Sequence, residues 1–306
     1  MKTVVIFGGS GFLGQKIIRR LVQNRYKIIV PYQKQINEAK LRFLGNIGQV
    51  IPMKFYDLND ARLLNSIEQS EIILNLKTLW EEKKISFNEG ITNFNLRLTE
   101  IINKNNKNSL CIFFSGLGVE TNNKSKRINA ISKAEDHILT NLENSVVIRP
   151  GIILGGGDQF LLKLLPLFNI SFLIPIFGSG KSKFQPVYVE DITKAVEKII
   201  LNKKYYNKNN LVFELVAHDV FTYIEFYKFI AKCLNIRRYF IKIPMSVCKI
   251  LVYLMKFTPL QLINNEQLRL FEKDNLKTSK HKNFKDLKII PHDIREIVKI
   301  SIKKIY

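Results

Sequence analysis

Short apolar runs alternate along the first half of the chain with stretches whose apolar residues return every third or fourth position. The runs Thr3–Phe7, 27–31, 50–56, 71–76, 109–114 and 145–148 are rich in β-branched and aromatic residues, as buried parallel strands are. After the first run, Phe12–Gln23 carries Phe12, Leu13, Ile17, Ile18, Leu21 and Val22 at helical spacing, with Arg19 and Arg20 on the outer face. Helical patterns recur at 60–68, 88–103 and 128–142. This alternation predicts an α/β fold, a Rossmann-like doubly wound parallel sheet with crossover helices.

Beyond Pro150 the character changes. Glycines 155–157, Pro166, Pro175 and the glycines at 178 and 180 are expected to break the chain into short pieces on the substrate side. A helix at 190–201, a strand at 211–216 and a helix at 222–234 complete a smaller C-terminal α/β lobe, followed by a basic helical tail. The expected organisation is a dinucleotide-binding core over 1–150 and, over 151–306, a cleft-covering lobe and tail interleaved with that core. Residues 245–257 are strongly apolar, with only Lys249 and Lys256 charged. That stretch is too short to span a bilayer; it suits a membrane surface, a partner, or a place in the core.

Composition narrows the partners. The 306 residues are 46% hydrophobic, ample for a buried core, and carry a formal net charge of +22. The lysines are spread through the whole chain, with no alternation of basic and aromatic residues and no finger or helix-turn-helix spacing, so no nucleic-acid partner is expected. Such a charge favours an anionic membrane face or an acidic partner surface. Cys111, Cys233 and Cys248 are unpaired in spacing, and His137, His218, His281 and His292 form no ligand pattern; a reducing compartment and no metal are expected. Met1 leads directly into Val4–Phe7, leaving no room for a leader, so the chain as written is expected to be intracellular.

Candidate chemistry begins at Gly8-Gly9-Ser10-Gly11-Phe12-Leu13-Gly14, between the first strand and the first helix. Gly8, Gly11 and Gly14 stand at G-x-x-G-x-x-G spacing. Gly8 permits a tight turn, Gly11 lets backbone approach a pyrophosphate, and Gly14 lets the helix pack against the strand. Alone, the motif also fits an ordinary βα turn; at the head of a long βα alternation it marks a dinucleotide cradle of Gly8, Ser10, Gly11, Phe12, Leu13 and Gly14.

The glycine turn, Asp57 after the third strand, Asn75 after the fourth, Ser115 after the fifth and Lys133 in the next helix together resemble an extended, atypical short-chain dehydrogenase/reductase. Val30-Pro31-Tyr32, Asn75-Leu76, Arg149-Pro150, Gly157-Asp158-Gln159-Phe160-Leu161 and above all Lys183-Phe184-Gln185-Pro186-Val187-Tyr188-Val189-Glu190-Asp191 narrow the resemblance. They are similar to the family of complex I accessory subunits called alpha-subcomplex subunit nine, with its bacterial relatives. The resemblance implies bound NADPH, a structural or assembly role without turnover, and complex I peripheral-arm subunits as partners. It also implies a cytoplasmic place, peripheral on the inner face of a bacterial inner membrane, or the matrix side if organellar.

In that superfamily a tyrosine four residues before the lysine supplies a proton, because the ammonium lowers the phenol's pKa. Here that position is Asn129, and no tyrosine lies between Tyr56 and Tyr188. An amide cannot exchange the proton, so no catalytic residue is expected. Lys133 keeps a ribose-binding role, and Ser115 either orients a carbonyl or is a satisfied hydroxyl at a strand end. Two other readings stand beside this one: an NAD(P)-dependent epimerase, dehydratase or reductase of a nucleotide-sugar or quinone-related substrate, and a dinucleotide-sensing regulator.

Cofactor choice turns on Val30-Pro31-Tyr32-Gln33-Lys34, which lacks the acid that grips the ribose of NAD. The family commonly has arginine where Gln33 stands; Lys34, or Arg19 and Arg20, would compensate as point charges, so NADPH is expected over NADH. Asp57 and Leu58 flank the adenine, or Asp57 is a turn carboxylate before Asp60. Arg149 and Pro150, at the carboxyl edge of the sheet, reach nicotinamide or pyrophosphate. Tyr188 either faces the cofactor or belongs to a buried strand, and Asp191 caps the helix it begins.

Overall fold

The computed structural model describes residues 1–120, 123–203, 210–255 and 263–305. They fall into two compact units: Met1–Pro150 with Val189–Leu215 and Lys280–Ile290, and Gly151–Tyr188 with Val216–Ser279 and Pro291–Tyr306.

The first unit is a Rossmann-like sheet. Its strands are β1 (Thr3–Phe7), β2 (Lys27–Tyr32), β3 (Val50–Lys54), β4 (Ile72–Asn75), β5 (Leu110–Phe114), β6 (Ser145–Pro150) and β11 (Leu211–Leu215). Side by side they run β11-β6-β5-β4-β1-β2-β3, every pair parallel. The order steps outward from β1 to β3 and then returns to β4, leaving a switch point at the carboxyl ends of β1 and β4, where such sheets bind ligands. Parallel strands buried on both faces need side chains without polar atoms. Val4, Val5, Ile6, Ile28, Val30 and Ile72, Ile73 and Leu74 accordingly have no solvent exposure.

Helices α1 (Phe12–Gln23), α2 (Glu38–Arg42), α3 (Ala61–Glu68), α4 (Phe94–Asn106) and α5 (Lys126–Asn141) carry the crossovers. A π-helical stretch, Asn88–Asn93, leads into α4, so the single helix read over 88–103 changes its hydrogen bonding partway. α1 buries Gly14, Ile17, Ile18 and Leu21, the i, i+3, i+4, i+7 stripe expected of a core-facing helix. Its other side meets α7 (Val189–Leu201), where Lys16 pairs with Glu190 at 3.1 Å and Arg20 with Glu197 at 2.9 Å. Asp191 lies inside the first turn of α7 and is 1% exposed; the helix begins at Val189, so Asp191 is not its cap, although an acid there complements the helix dipole.

The second unit contains β7 (Ile152–Leu154) beside β10 (Pro186–Tyr188), β8 (Leu173–Phe177) beside β13 (Tyr239–Ile243), and β9 (Lys183–Phe184) beside β12 (Phe221–Thr222). Its core is aromatic: Phe184 stacks on Tyr223 at 4.6 Å and meets Phe226 edge-on at 5.4 Å. The expectation of short broken pieces around Pro166 fails, because Gln159–Ile170 is one helix, α6. Pro166 is exposed, and so is Leu162, whose carbonyl loses its usual donor and is left to water; Leu161, Leu164, Leu165 and Phe168 are buried and hold the helix. Met245–Met255 is helical, with Cys248 and Val252 buried against Leu268 while Val247, Ile250, Leu251, Tyr253 and Leu254 remain exposed. Part of this stretch is core and most of it is not; Lys256 and Phe257 lie outside the described residues. Among the described residues no helix is long and apolar enough to cross a membrane.

The tightest backbone approach in the sheet unit is at Gly14, where an added Cβ would stand 2.6 Å from both Cα and O of Gly9. Gly14→Ala is expected to destabilise the chain by about 1–3 kcal/mol in urea unfolding. Gly116→Ala, whose Cβ would meet only Val119 Cγ2 at 3.9 Å, should change it by less than about 0.5 kcal/mol.

Candidate dinucleotide site

At the end of β1 the backbone turns through Gly8 at φ 76°, a conformation that favours glycine, and Gly11 N–H closes the turn on Gly8 O at 3.1 Å. A side chain at Gly8 would also strike Leu76 and Lys77 backbone within 3.1 Å. Gly11 is the N-cap of α1 and supplies no side chain, and the first turn holds no acid. The leading amides, at Phe12, Leu13 and Gly14, therefore have no capping side chain, at a place where a Cβ on Gly11 would meet only Gly8 O. Gln15 Nε2 donates to Ser10 O at 2.7 Å and holds the loop from below. A cradle with orphan donors, the positive end of a helix dipole and room for close approach fits a pyrophosphate. Gly9, given no role by the sequence, is needed for packing, since its Cβ would press Val30 Cγ1 at 2.9 Å.

Just beyond the ends of β2 and β4, two polar side chains meet. Lys77 Nζ lies 3.3 Å from Gln33 Oε1 and 3.6 Å over the Phe94 ring, and Gln33 Nε2 donates to Tyr56 O. Burial and the nearby Lys34 ammonium push Lys77 down to about 8. Lys77 was missed because nothing local marks it; its meaning comes from β4 lying next to β1. Gln33 also lines a hollow of about 410 Å³ with Tyr32, Glu38 and Lys54. The acid in that hollow, Glu38, is already held by the Tyr32 hydroxyl and by Arg42. Arg20, considered as a compensating charge, is committed to α7 instead: its Nε donates to Thr193 Oγ1 at 3.0 Å and its guanidinium pairs with Glu190 and Glu197.

The other residues are found in structural roles. Asn75 is buried; its Nδ2 donates to Asn95 Oδ1 at 2.7 Å and its Oδ1 accepts from Lys77 N at 3.0 Å, which fixes the exit of β4. Asp57 Oδ1 accepts from Asn59 N at 2.6 Å, closing the turn before Asp60, whose carboxylate caps α3; Leu58 sits in the hydrophobic core. Ser115 Oγ donates to Glu135 Oε2 at 2.7 Å. Arg149, next to Pro150 at the end of β6, is gripped by the same Glu135, with Nε 3.0 Å from Oε1, while Glu214 on β11 stands 3.6 Å away and His281 Nε2 3.3 Å away. Both carboxylates are 2% exposed, so Arg149 serves as a counter-charge shared between them inside the unit. Tyr188, in the second unit, packs edge-on against His292.

Asn129 and Lys133 share a face of α5, four residues apart. Lys133 is exposed. Asn129 is a clamp: its Oδ1 accepts from Asn123 N at 2.7 Å and its Nδ2 donates to Asn123 O at 2.6 Å.

These features define a Rossmann-like fold of the short-chain dehydrogenase/reductase and epimerase type. The model of the 3-beta hydroxysteroid dehydrogenase/isomerase family matches residues 5–137. The chain is 24% identical over 301 residues to the Arabidopsis thaliana NADH dehydrogenase (ubiquinone) 1 alpha subcomplex subunit 9, mitochondrial, covering 95% of this chain and 74% of that one. It is 24% identical over 295 residues to the Neurospora crassa NADH-ubiquinone oxidoreductase 40 kDa subunit, covering 95% and 76%. The fold matches that of dTDP-glucose 4,6-dehydratase from Bacillus anthracis, solved with NAD, at a TM-score of 0.72 and 13% identity over 99% of this chain and 96% of that one. The chain thus resembles an atypical short-chain dehydrogenase/reductase and, within that class, the alpha-subcomplex subunit nine of complex I.

Removing Arg149 takes the guanidinium from two nearly buried carboxylates, and Arg149→Ala is expected to cost about 3–5 kcal/mol in chemical unfolding. Glu135→Gln leaves Arg149 its contact with Glu214 and should cost less. Ser115→Ala, which removes only one hydrogen bond to that carboxylate, should cost about 1–2 kcal/mol.

Proposed function

We propose that this chain is a nicotinamide-dinucleotide-binding, catalytically silent accessory or assembly subunit of NADH:quinone oxidoreductase, placed on the peripheral arm near the membrane surface. One observation carries the silent part: beside a phosphate cradle with uncapped amides, the position that needs a proton donor is Asn129, and both ends of its amide are spent on the backbone of Asn123. Similarity to complex I subunits over 95% of the chain supports the assembly. The exposed apolar side of Met245–Met255, with Leu173, Tyr239 and Ile241 on one face of the β8–β13 pair, supports a site of attachment at the membrane–arm boundary.

In this reading Gly8, Ser10, Gly11, Phe12, Leu13 and Gly14 hold the pyrophosphate, Lys133 the nicotinamide ribose, and Gln33, Lys34 and Lys77 the adenosine ribose. A bound nicotinamide supplies hydride chemistry, while the position from which the accompanying proton would move holds the Asn129 amide. Two ammonium groups facing a 2′-phosphate favour NADPH over NADH. The position of Lys77 makes that preference depend on pH: the charged form binds phosphate, so discrimination is strongest below pH 8 and weakens as the group loses its proton above that value.

Fluorescence titration from pH 7 to 9.5 should show the ratio of NADPH to NADH affinity falling. Lys77→Gln should lower that ratio by about tenfold at pH 7 and flatten its pH dependence. In a gentle detergent pull-down the chain is expected to bring complex I subunits with it; recovery only as free monomer would contradict the assignment.

A further inference from the structure

Far along the chain from the glycine turn, the second unit presents a groove between the helices Tyr223–Cys233 and Ile294–Ile305. It encloses about 790 Å³. Both helices face the core with regular stripes: Tyr223, Phe226, Tyr227 and Ile230 on one, Ile294, Val298 and Ile302 on the other. The residues one step round from those stripes line the groove, and they are cations: Lys228 and Lys232 on the first helix, Arg295, Lys299 and Lys303 on the second. Among the described residues, none of the four lysines has a carboxylate within ion-pair distance, although each has a like charge one helical turn away, which is unfavourable. The acid at the groove, Glu225, is spent on its own helix, accepting from Thr222 N and Thr222 Oγ1 at 2.9 and 2.8 Å.

We propose that this groove docks an acidic, amphipathic helical segment of another protein. The arrangement suits an elongated anion. Lys299 and Lys303 stand one turn apart on one helix and Lys228 and Lys232 one turn apart on the other, with charges about 6 Å apart, which matches carboxylates spaced i, i+4 along a facing helix; Arg295, at the end of the row, already shares Asp219 at 3.4 Å. A compact phosphate site would converge on fixed donors, whereas the donors here are exposed lysines strung along two helices, and the nearest helix N-terminus is closed by its own capping box. Stacked nucleic-acid bases lack a free ring: Phe229 stacks on Phe221, and the Arg295 guanidinium covers both, 4.8 Å from Phe221 and 5.5 Å from Phe229. The floor of phenyl groups and the half-buried Cys233 suits the apolar stripe of an amphipathic helix, and the concave form suits a helix better than a flat bilayer.

The test uses the full chain and a labelled synthetic helical peptide with glutamates at i, i+4 and i+8 beside a leucine stripe, together with the same peptide carrying glutamines. The acidic peptide should bind and slow alkylation of Cys233 at least threefold; the glutamine peptide should do neither. Lys228→Glu/Lys232→Glu/Lys299→Glu should weaken binding at least tenfold, while Lys84→Glu/Lys104→Glu/Lys107→Glu, with the same change in net charge elsewhere, should weaken it less than twofold. If the glutamate set unfolds by circular dichroism, the corresponding glutamine set gives the same reading. Equal loss in the groove and control sets, equal binding of the two peptides, or groove-dependent binding of anionic vesicles or RNA without binding of the acidic peptide would overturn the proposal.

Discussion

The first turn of α1 begins on a glycine that cannot cap it. Its leading amides carry the positive end of the helix dipole and no side-chain acceptor, a deficit of roughly a few tenths of a kcal/mol compared with a side-chain-capped helix. Asn37, Asp60, Ser125, Asp158 and Thr222 each give their helices a side-chain cap. The π-helical stretch Asn88–Asn93 also lacks one; α1 differs in standing at the switch point of the sheet, beside a glycine with positive φ and another whose Cβ would collide with backbone. An anion at that turn would itself supply the missing acceptors, and glycine there leaves room for backbone to come close.

At the carboxyl ends of β5 and β6, polar side chains satisfy one another. Ser115, Glu135, Arg149, Glu214 and His281 form one partly buried network, and Asn129 is closed on Asn123. In a reductase the hydroxyl and the phenol of this region must be free to meet substrate. Here the hydroxyl is engaged and the phenol is absent. An uncapped glycine turn at one end of the sheet unit and internally satisfied side chains at Ser115 and Asn129 are the two observations on which the proposed binding role without turnover rests.

Most of the sheet was legible in the sequence because strand and helix periods differ and each repeats. Thr3–Phe7 and Phe12–Gln23 match residue for residue, and the glycine turn follows from its place between them. What could not be read depends on distance along the chain. Lys77 matters because β4 adjoins β1, which brings it to Gln33; Arg149 is drawn inward by Glu135 and by Glu214 on a strand formed much later. Arg20 looked like a free surface charge until α7 arrived beside it with Glu190 and Glu197. Pro166 suggested a break, but burial of four neighbouring side chains outweighs one carbonyl left to water.

The central claim is that the orphan amides of α1 hold a pyridine dinucleotide. Native mass spectrometry of the purified full-length chain, followed by release and identification of any small molecule, tests it most directly. The expected spectrum shows one dinucleotide per chain, or its uptake on addition of NADPH or NADH. A bare chain that takes up neither would contradict the claim.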